Sequence, residues 1–120
     1  PARTRGSANR AVRTKQVIPR EQANRDIDET LAYYLGEDSE TAALGFIDTL
    51  EQAYAHIARH PSTGAIQYAH ELNLPGLHFW PLKRYPYLVF YVEQGTHIDI
   101  WRVLNAKRDI PAWLQENITP

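Results

Sequence analysis

Between Pro19 and about residue 60 the apolar positions of this chain return every three or four residues; between 77 and 104 they return mostly every two. The first period is that of a helix face and the second that of a strand. In REQANRDIDETLAYYL the residues Ala23, Ile27, Leu31 and Tyr34 make one stripe, with Asp26, Asp28 and Glu29 off it. Pro19 stops the short β-prone run VRTKQVI (12–18) and fits a helix entry, where its missing N–H leaves no bond unmade. Gly36 predicts the C-terminal stop of this helix. Ser39 predicts the N-cap of a second, with Glu40 in its first turn. The second stripe is Leu44, Ile47, Leu50, Tyr54, Ile57 and Ala58; Pro61 ends it, and PSTG is turn chemistry. So short a link between the two helices predicts an antiparallel hairpin.

Three strands follow. LHFWPLKRY (77–85) is the first, with Pro81 confining it to an edge or a bulge. Tyr85-Pro86 turns the chain, and YLVFYVE (87–93) is apolar on both faces, as a central strand is. After a hairpin at Gly95-Thr96, HIDIWRVL (97–104) alternates, Ile98 and Ile100 inward, His97 and Asp99 outward. The parity then breaks: Trp101 and Val103 are apolar on the outward set and Arg102 falls on the isoleucine set. Either a bulge intervenes or the far face of the sheet carries a partly apolar site. A last helix runs from about Asp109 to Asn117, capped by Asp109, with Pro111 in its first turn.

The predicted fold is α+β in the order β-α-α-β-β-β with a short C-terminal helix. An N-terminal strand precedes an antiparallel helical hairpin, which buries its stripes against one face of a small antiparallel sheet. The 120 residues suffice for one modest core, assigned to 12–117, after a basic and flexible arm at 1–11.

Composition narrows the chemistry. There is no cysteine, which excludes disulfides, thiolate metal sites and a thiol nucleophile and suits a reducing cytoplasm. No apolar run reaches the roughly 20 residues of a membrane helix. The formal charge of −1 hides segregation: residues 1–25 carry +6, residues 26–80 carry −8, and residues 81–120 carry +1. The plain reading is a solubilising tail and a solvated helical face, and it is favoured for the arm, which has no periodicity; the sharper reading is that two faces of opposite sign meet different partners. His56 and His60 are four apart on the second helix, within reach of one metal, but no HExxH pattern or third ligand accompanies them, so no metal or cofactor is expected. Ser39 and Ser62 lack a nucleophile elbow, and the six glycines lie singly, so no phosphate loop exists.

Four stretches carry a family resemblance: IPREQANRDIDETLAYY, the helix ending in HPSTG, KRYPYLVFYV and RVLNAKRDI. Together, over about residues 12–115, they resemble ParE-type toxins of the RelE/ParE superfamily from bacterial toxin–antitoxin operons. RVLNAKRDI is similar to the Arg-Val-Leu-His-x-x-Arg-Asp-Ile signature, with Asn105 where the family often has His. The resemblance implies the same β-α-α-β-β-β fold and a toxin component of a type II module, such as a plasmid-stabilisation system. Such a toxin inhibits DNA gyrase, alone or on DNA, by binding and without chemistry of its own. A ParD-like antitoxin neutralises it in a hetero-oligomer.

On that basis Lys83, Arg84, Arg102, Asn105, Lys107 and Arg108 are assigned to a target-binding rim at the sheet's exposed face. Trp113 is either its aromatic anchor or a core residue, its residue type favouring the core. Tyr33, Tyr34, Leu50 and Tyr54, on the edges of the hairpin stripes, are assigned to the antitoxin groove. One alternative is a RelE-like ribosome-dependent mRNA endonuclease, whose proton carriers would be drawn from His78, His97, Tyr87 and Tyr91. Against it, no Tyr or His follows residue 102. The other is a degenerate, non-toxic member that only binds its antitoxin.

Overall fold

The structure, a computed structural model, describes residues 14–118. The basic arm assigned to 1–11 lies outside the described residues, as do positions 12 and 13 of the predicted first strand. The order is β1 (Gln16–Pro19), α1 (Glu21–Gly36), α2 (Glu40–Arg59), a 3-10 turn (Pro61–Thr63), α3 (Gln67–Glu71), β2 (Leu77–Pro81), β3 (Tyr87–Glu93), β4 (His97–Asn105) and α4 (Ile110–Ile118). Apart from α3, a five-residue helix without a periodic stripe, these are the elements the periodicity predicts, though Pro19 closes β1 rather than entering α1, whose N-cap is Arg20, and β2 ends at Pro81 instead of running to 85. The caps agree too: the Ser39 hydroxyl accepts the Ala42 N–H at 3.2 Å, and Asp109 accepts that of Ala112 at 3.3 Å. The turn between α1 and α2 is made at Asp38, with φ of 58°, rather than at Gly36, which is the last helical residue.

The sheet has strand order β1-β4-β3-β2. The three later strands are antiparallel, as predicted, while β1 joins the edge of β4 in parallel, Val17 opposite Ile98. Pro81 closes β2, an edge strand, where its missing N–H breaks no ladder. The broken parity of β4 is a bulge: Tyr91 faces Ile100 while Phe90 faces Arg102, so Trp101 is the extra residue. Beyond it the alternation is reset, and Val103 joins Ile98 and Ile100 against the hairpin.

The hairpin core contains Ala23, Phe46, Leu50, Ala53, Ile57, Val89, Tyr91, Ile98, Ile100 and Val103. Its α2 face is therefore turned from the predicted stripe. Ala43, Phe46, Leu50, Ala53 and Ile57 point inward, and Leu44 is 59% exposed. Two overlapping stripes were available, one residue apart, and packing selects the one whose alanines let the helix approach closely. Phe46 then meets Tyr85 and Tyr87 edge-on at 5.8 and 5.4 Å between centroids. The far face of the sheet is a second core, Leu77, Phe90, Leu104, Ile110 and Leu114, flanked by Tyr68 and Leu72 of the α3 region and by Trp113 of α4. The sheet is thus covered on both faces, and the expectation of an exposed working face on its far side is corrected.

Candidate functional site

Pairing of β1 with β4 ends at Pro19 opposite Ile100, where the Arg20 N–H donates to the Ile100 carbonyl at 2.9 Å. Past that point the edge of β4 has no strand neighbour, and α1 runs along it. The Asp26 carboxylate fills the gap. It accepts the Val103 N–H at 2.9 Å and two guanidinium N–H groups of Arg102 at 2.8 and 2.7 Å. Arg102 is 2% exposed, and its remaining arm donates to the Trp113 carbonyl at 3.3 Å. The assignment of Arg102 to an exposed rim is therefore corrected: it is a buried clasp joining α1, β4 and α4. The bulge at Trp101 takes Arg102 off the isoleucine face and sets it opposite Phe90, where a buried guanidinium needs a carboxylate partner; Asp26, buried on α1, supplies it.

Above this clasp lies a cleft of about 400 Å³ between α1, the end of β4, the β4–α4 loop and α4. One wall carries Lys107, Arg108 and Trp113; the other carries Glu29, Thr30, Tyr33 and Tyr34; Tyr87, Val103 and Leu104 also line it. Asn105 shapes the cationic wall. Its side-chain oxygen accepts the Lys107 N–H at 2.9 Å and its carbonyl accepts the Arg108 N–H at 3.0 Å, an Asx-type turn that presents both cations outward. The Arg108 guanidinium lies 4.6 Å from the Trp113 ring centroid, and that of Arg102 lies 5.4 Å from it. Trp113 thus packs beside the second core and also borders the cleft. On the opposite wall burial raises the Tyr34 phenol pKa, aided by Tyr87, Tyr85 and Tyr33.

The cleft gathers four of the seven residues assigned to the target, Asn105, Lys107, Arg108 and Trp113, and two of the four assigned to the antitoxin, Tyr33 and Tyr34. The others lie elsewhere. Lys83 lines a separate cavity of about 130 Å³ with Thr49, His56 and Trp80. Arg84 holds a left-handed φ of 70° in the β2–β3 loop. Leu50, 6% exposed, belongs to the hairpin core, so its place on an exposed groove is corrected. Tyr54 is half-buried at the margin of that core; its hydroxyl is buried with no hydrogen-bond partner among the described residues, and burial, with Asp26 nearby, raises its pKa strongly. Leu50 lies on the buried face in either stripe, while the turn of α2 leaves Tyr54 at the margin of that face. Glu29, read only as a polar position off a stripe, and Thr30 are cleft residues that periodicity had no means of singling out.

The four candidate proton carriers are not assembled at the cationic wall. The Tyr91 hydroxyl donates to the Pro61 carbonyl at 2.7 Å and accepts the Gly64 N–H at 3.1 Å, and burial pushes its pKa up to about 12. His78 bonds the Gly76 carbonyl from β2, and His97 starts β4 at the end far from the cleft. Tyr87 alone of the four lines it. His56 stacks on Trp80 at 4.0 Å and bonds the Thr63 hydroxyl at 2.9 Å; burial, then His60 and Lys83, lower its pKa. Among the described residues no three His, Cys, Asp or Glu side chains form a metal-binding group, and no helix is long and apolar enough to cross a membrane.

Residues 17–110 match the family model described as ParE toxin of type II toxin–antitoxin system, parDE. In fold the chain is similar to a solved chain titled "Chromosomal ParDE TA system from P. aeruginosa". The TM-score is 0.64 at 18% identity, over 77% of this chain and 96% of that one. No curated protein matches it significantly.

Proposed function

Because the chain belongs to the ParE toxin family of type II toxin–antitoxin systems, we propose that it is a toxin that inhibits DNA gyrase by binding, without catalysis, and that a ParD-like antitoxin neutralises it in a hetero-oligomer. The observation that supports this reading is the composition of the cleft. Two outward cations and a ring of aromatic side chains converge there, the residue types of a protein-binding hot spot. Of the four proton carriers named for RNA cleavage, His78, His97, Tyr87 and Tyr91, only Tyr87 lines the cleft. Lys107, Arg108 and Trp113 grip the target, with Asn105 holding the loop. Tyr33, 60% exposed, and Tyr34 offer the antitoxin its contact at the edge of the same cleft. Lys83 and Arg84 are secondary contacts on the neighbouring loop, and the module acts in the cytoplasm.

The test is a supercoiling assay with purified gyrase and relaxed plasmid, run beside a cleavage assay on ribosome-bound message. The parent chain stops supercoiling and leaves the message intact. Lys107→Ala with Arg108→Ala, both exposed, weakens inhibition at least about tenfold, the loss expected of hot-spot side chains, with an unchanged melting curve. Normal supercoiling at saturating protein refutes gyrase as target. Cut message marks the ribosome-dependent nuclease instead, and expression without antitoxin that leaves growth untouched marks the degenerate member.

A further inference from the structure

The charges of the cleft are arranged in two opposed halves. Lys107 and Arg108 stand on the β4–α4 loop, while Glu29 stands on α1 across from them, with Asp28 exposed beside it on the same helix. The other acid lining the cleft, Asp26, is already neutralised by Arg102. Among the described residues the ion pairs are Lys15–Glu93, Arg20–Asp99, Arg25–Glu21 and Arg102–Asp26, so Lys107, Arg108 and Glu29 all keep their charges for a ligand.

Arg108 is also held in place. Its guanidinium rests on Trp113, whose carbonyl is bonded by Arg102, which Asp26 holds with two bonds. A cation fixed in this way binds with less ordering entropy lost than one on a free arm. Two such cations facing a carboxylate do not suit a nucleic-acid backbone. Phosphates are uniformly negative, and binding them calls for a basic track with several Lys or Arg contacts. Here any strand lying on Arg108 would be carried against Glu29 and the acidic outer face of the hairpin. A polypeptide segment with both signs fits, one carboxylate at Lys107 and Arg108 and one Lys or Arg at Glu29, with its apolar atoms on Tyr33, Tyr34 and Trp113.

We infer that the occupant of this cleft is a mixed-charge protein segment rather than DNA, with Glu29 as the residue that sets this choice and Asp26–Arg102–Trp113 as the relay that positions Arg108. The inference rests on the toxin reading above and adds the chemistry of the partner to it.

The test reverses charges one wall at a time. Parent, Glu29→Lys and Arg108→Glu proteins are titrated against DNA-free gyrase holoenzyme and, separately, against a short DNA duplex at low salt. Both substitutions are at exposed positions, and their melting curves are checked first. The expected result is that the parent binds gyrase without DNA and that each reversal weakens this complex at least about tenfold. Glu29→Lys is the deciding variant, because it makes the cleft more basic. If it tightens binding to duplex or to gyrase–DNA, or leaves the gyrase complex unchanged, the inference is overturned while gyrase as target stands. Growth arrest is scored in parallel. Arrest without any gyrase binding, abolished by Glu29→Lys, overturns gyrase as target and supports the mixed-charge cleft. A Glu29→Lys chain as potent as the parent at equal abundance overturns the inference whatever the target. A parent that neither binds gyrase nor arrests growth overturns both.

Discussion

Replacing Arg102 with Met removes the guanidinium from its clasp and keeps most of the side-chain volume. Asp26 is then a carboxylate 6% exposed, left with the Val103 N–H alone of its three donors. Breaking one side of a buried ion pair in this way costs about 3–5 kcal/mol, most of it the burial of the abandoned charge. The total stability of a domain this size is about 5–15 kcal/mol. Arg102→Met should therefore lower the melting temperature by roughly 12–40 °C, taking about 4–8 °C per kcal/mol. Asp26→Leu should do comparable damage from the other side. The double variant, Asp26→Leu with Arg102→Met, buries no charge. Its chief loss is the Val103 N–H left without an acceptor, about 1–3 kcal/mol. The double variant is thus more stable than either single one, with a coupling of several kcal/mol in the cycle. Urea unfolding followed by circular dichroism measures all four proteins, with equal m values licensing the comparison. An Arg102→Met protein within about 1 kcal/mol of the parent, or a double variant equal to the sum of the singles, would refute the clasp. The same logic bars Arg102→Ala from any toxicity test, because lost activity would report lost fold.

Three further outcomes follow from the packing. Gly64→Ala places a methyl 3.0 Å from the Phe79 carbonyl oxygen and closer still to the Tyr91 hydroxyl, so it should cost about 1–3 kcal/mol in urea unfolding; an unchanged midpoint would show that this loop yields freely. Tyr54→Phe removes a buried hydroxyl that has no partner, and should be neutral or stabilising by up to about 1 kcal/mol; a larger loss than that would reveal an unseen acceptor. The Tyr91 phenol ionises at 10.0 when exposed and at about 12 in the fold, so its neutral form is the folded one. Its contribution to stability is complete below pH 10 and is lost as the pH rises toward 12, with tyrosinate absorbance from Tyr91 delayed from pH 10 to about 12 while the chain stays folded. Full ionisation near pH 10 with native circular dichroism intact would contradict its burial.

The periods along the chain were enough to specify the hairpin, the three later strands, the capping serine and aspartate, and the order that places them in a RelE/ParE-like fold. These are local properties: a stripe, a cap or an alternation is written within a few residues and needs no distant partner. Even the bulge was legible, because an apolar alternation that changes parity within one strand has few geometric solutions. The site was legible only in part. Lys107 and Arg108 stood out because a loop between a strand and a helix has nowhere to bury them, and Tyr33 and Tyr34 because they lie at the edge of a helix stripe.

What the tertiary structure alone decided was which of two adjacent stripes α2 would bury, and that choice took Ala43, Phe46 and Ala53 inside and left Leu44 exposed. It also decided that the far face of the sheet would be covered by α3 and α4. The pairing of Arg102 with Asp26, 76 residues apart, and the placing of Glu29 and Arg108 along one cleft were settled there as well. The physical reason is common to these cases. Burial and charge pairing depend on which surfaces meet, and two residues distant in sequence leave no periodic trace of their contact until the sheet edge, the helix beside it and the last helix are brought together.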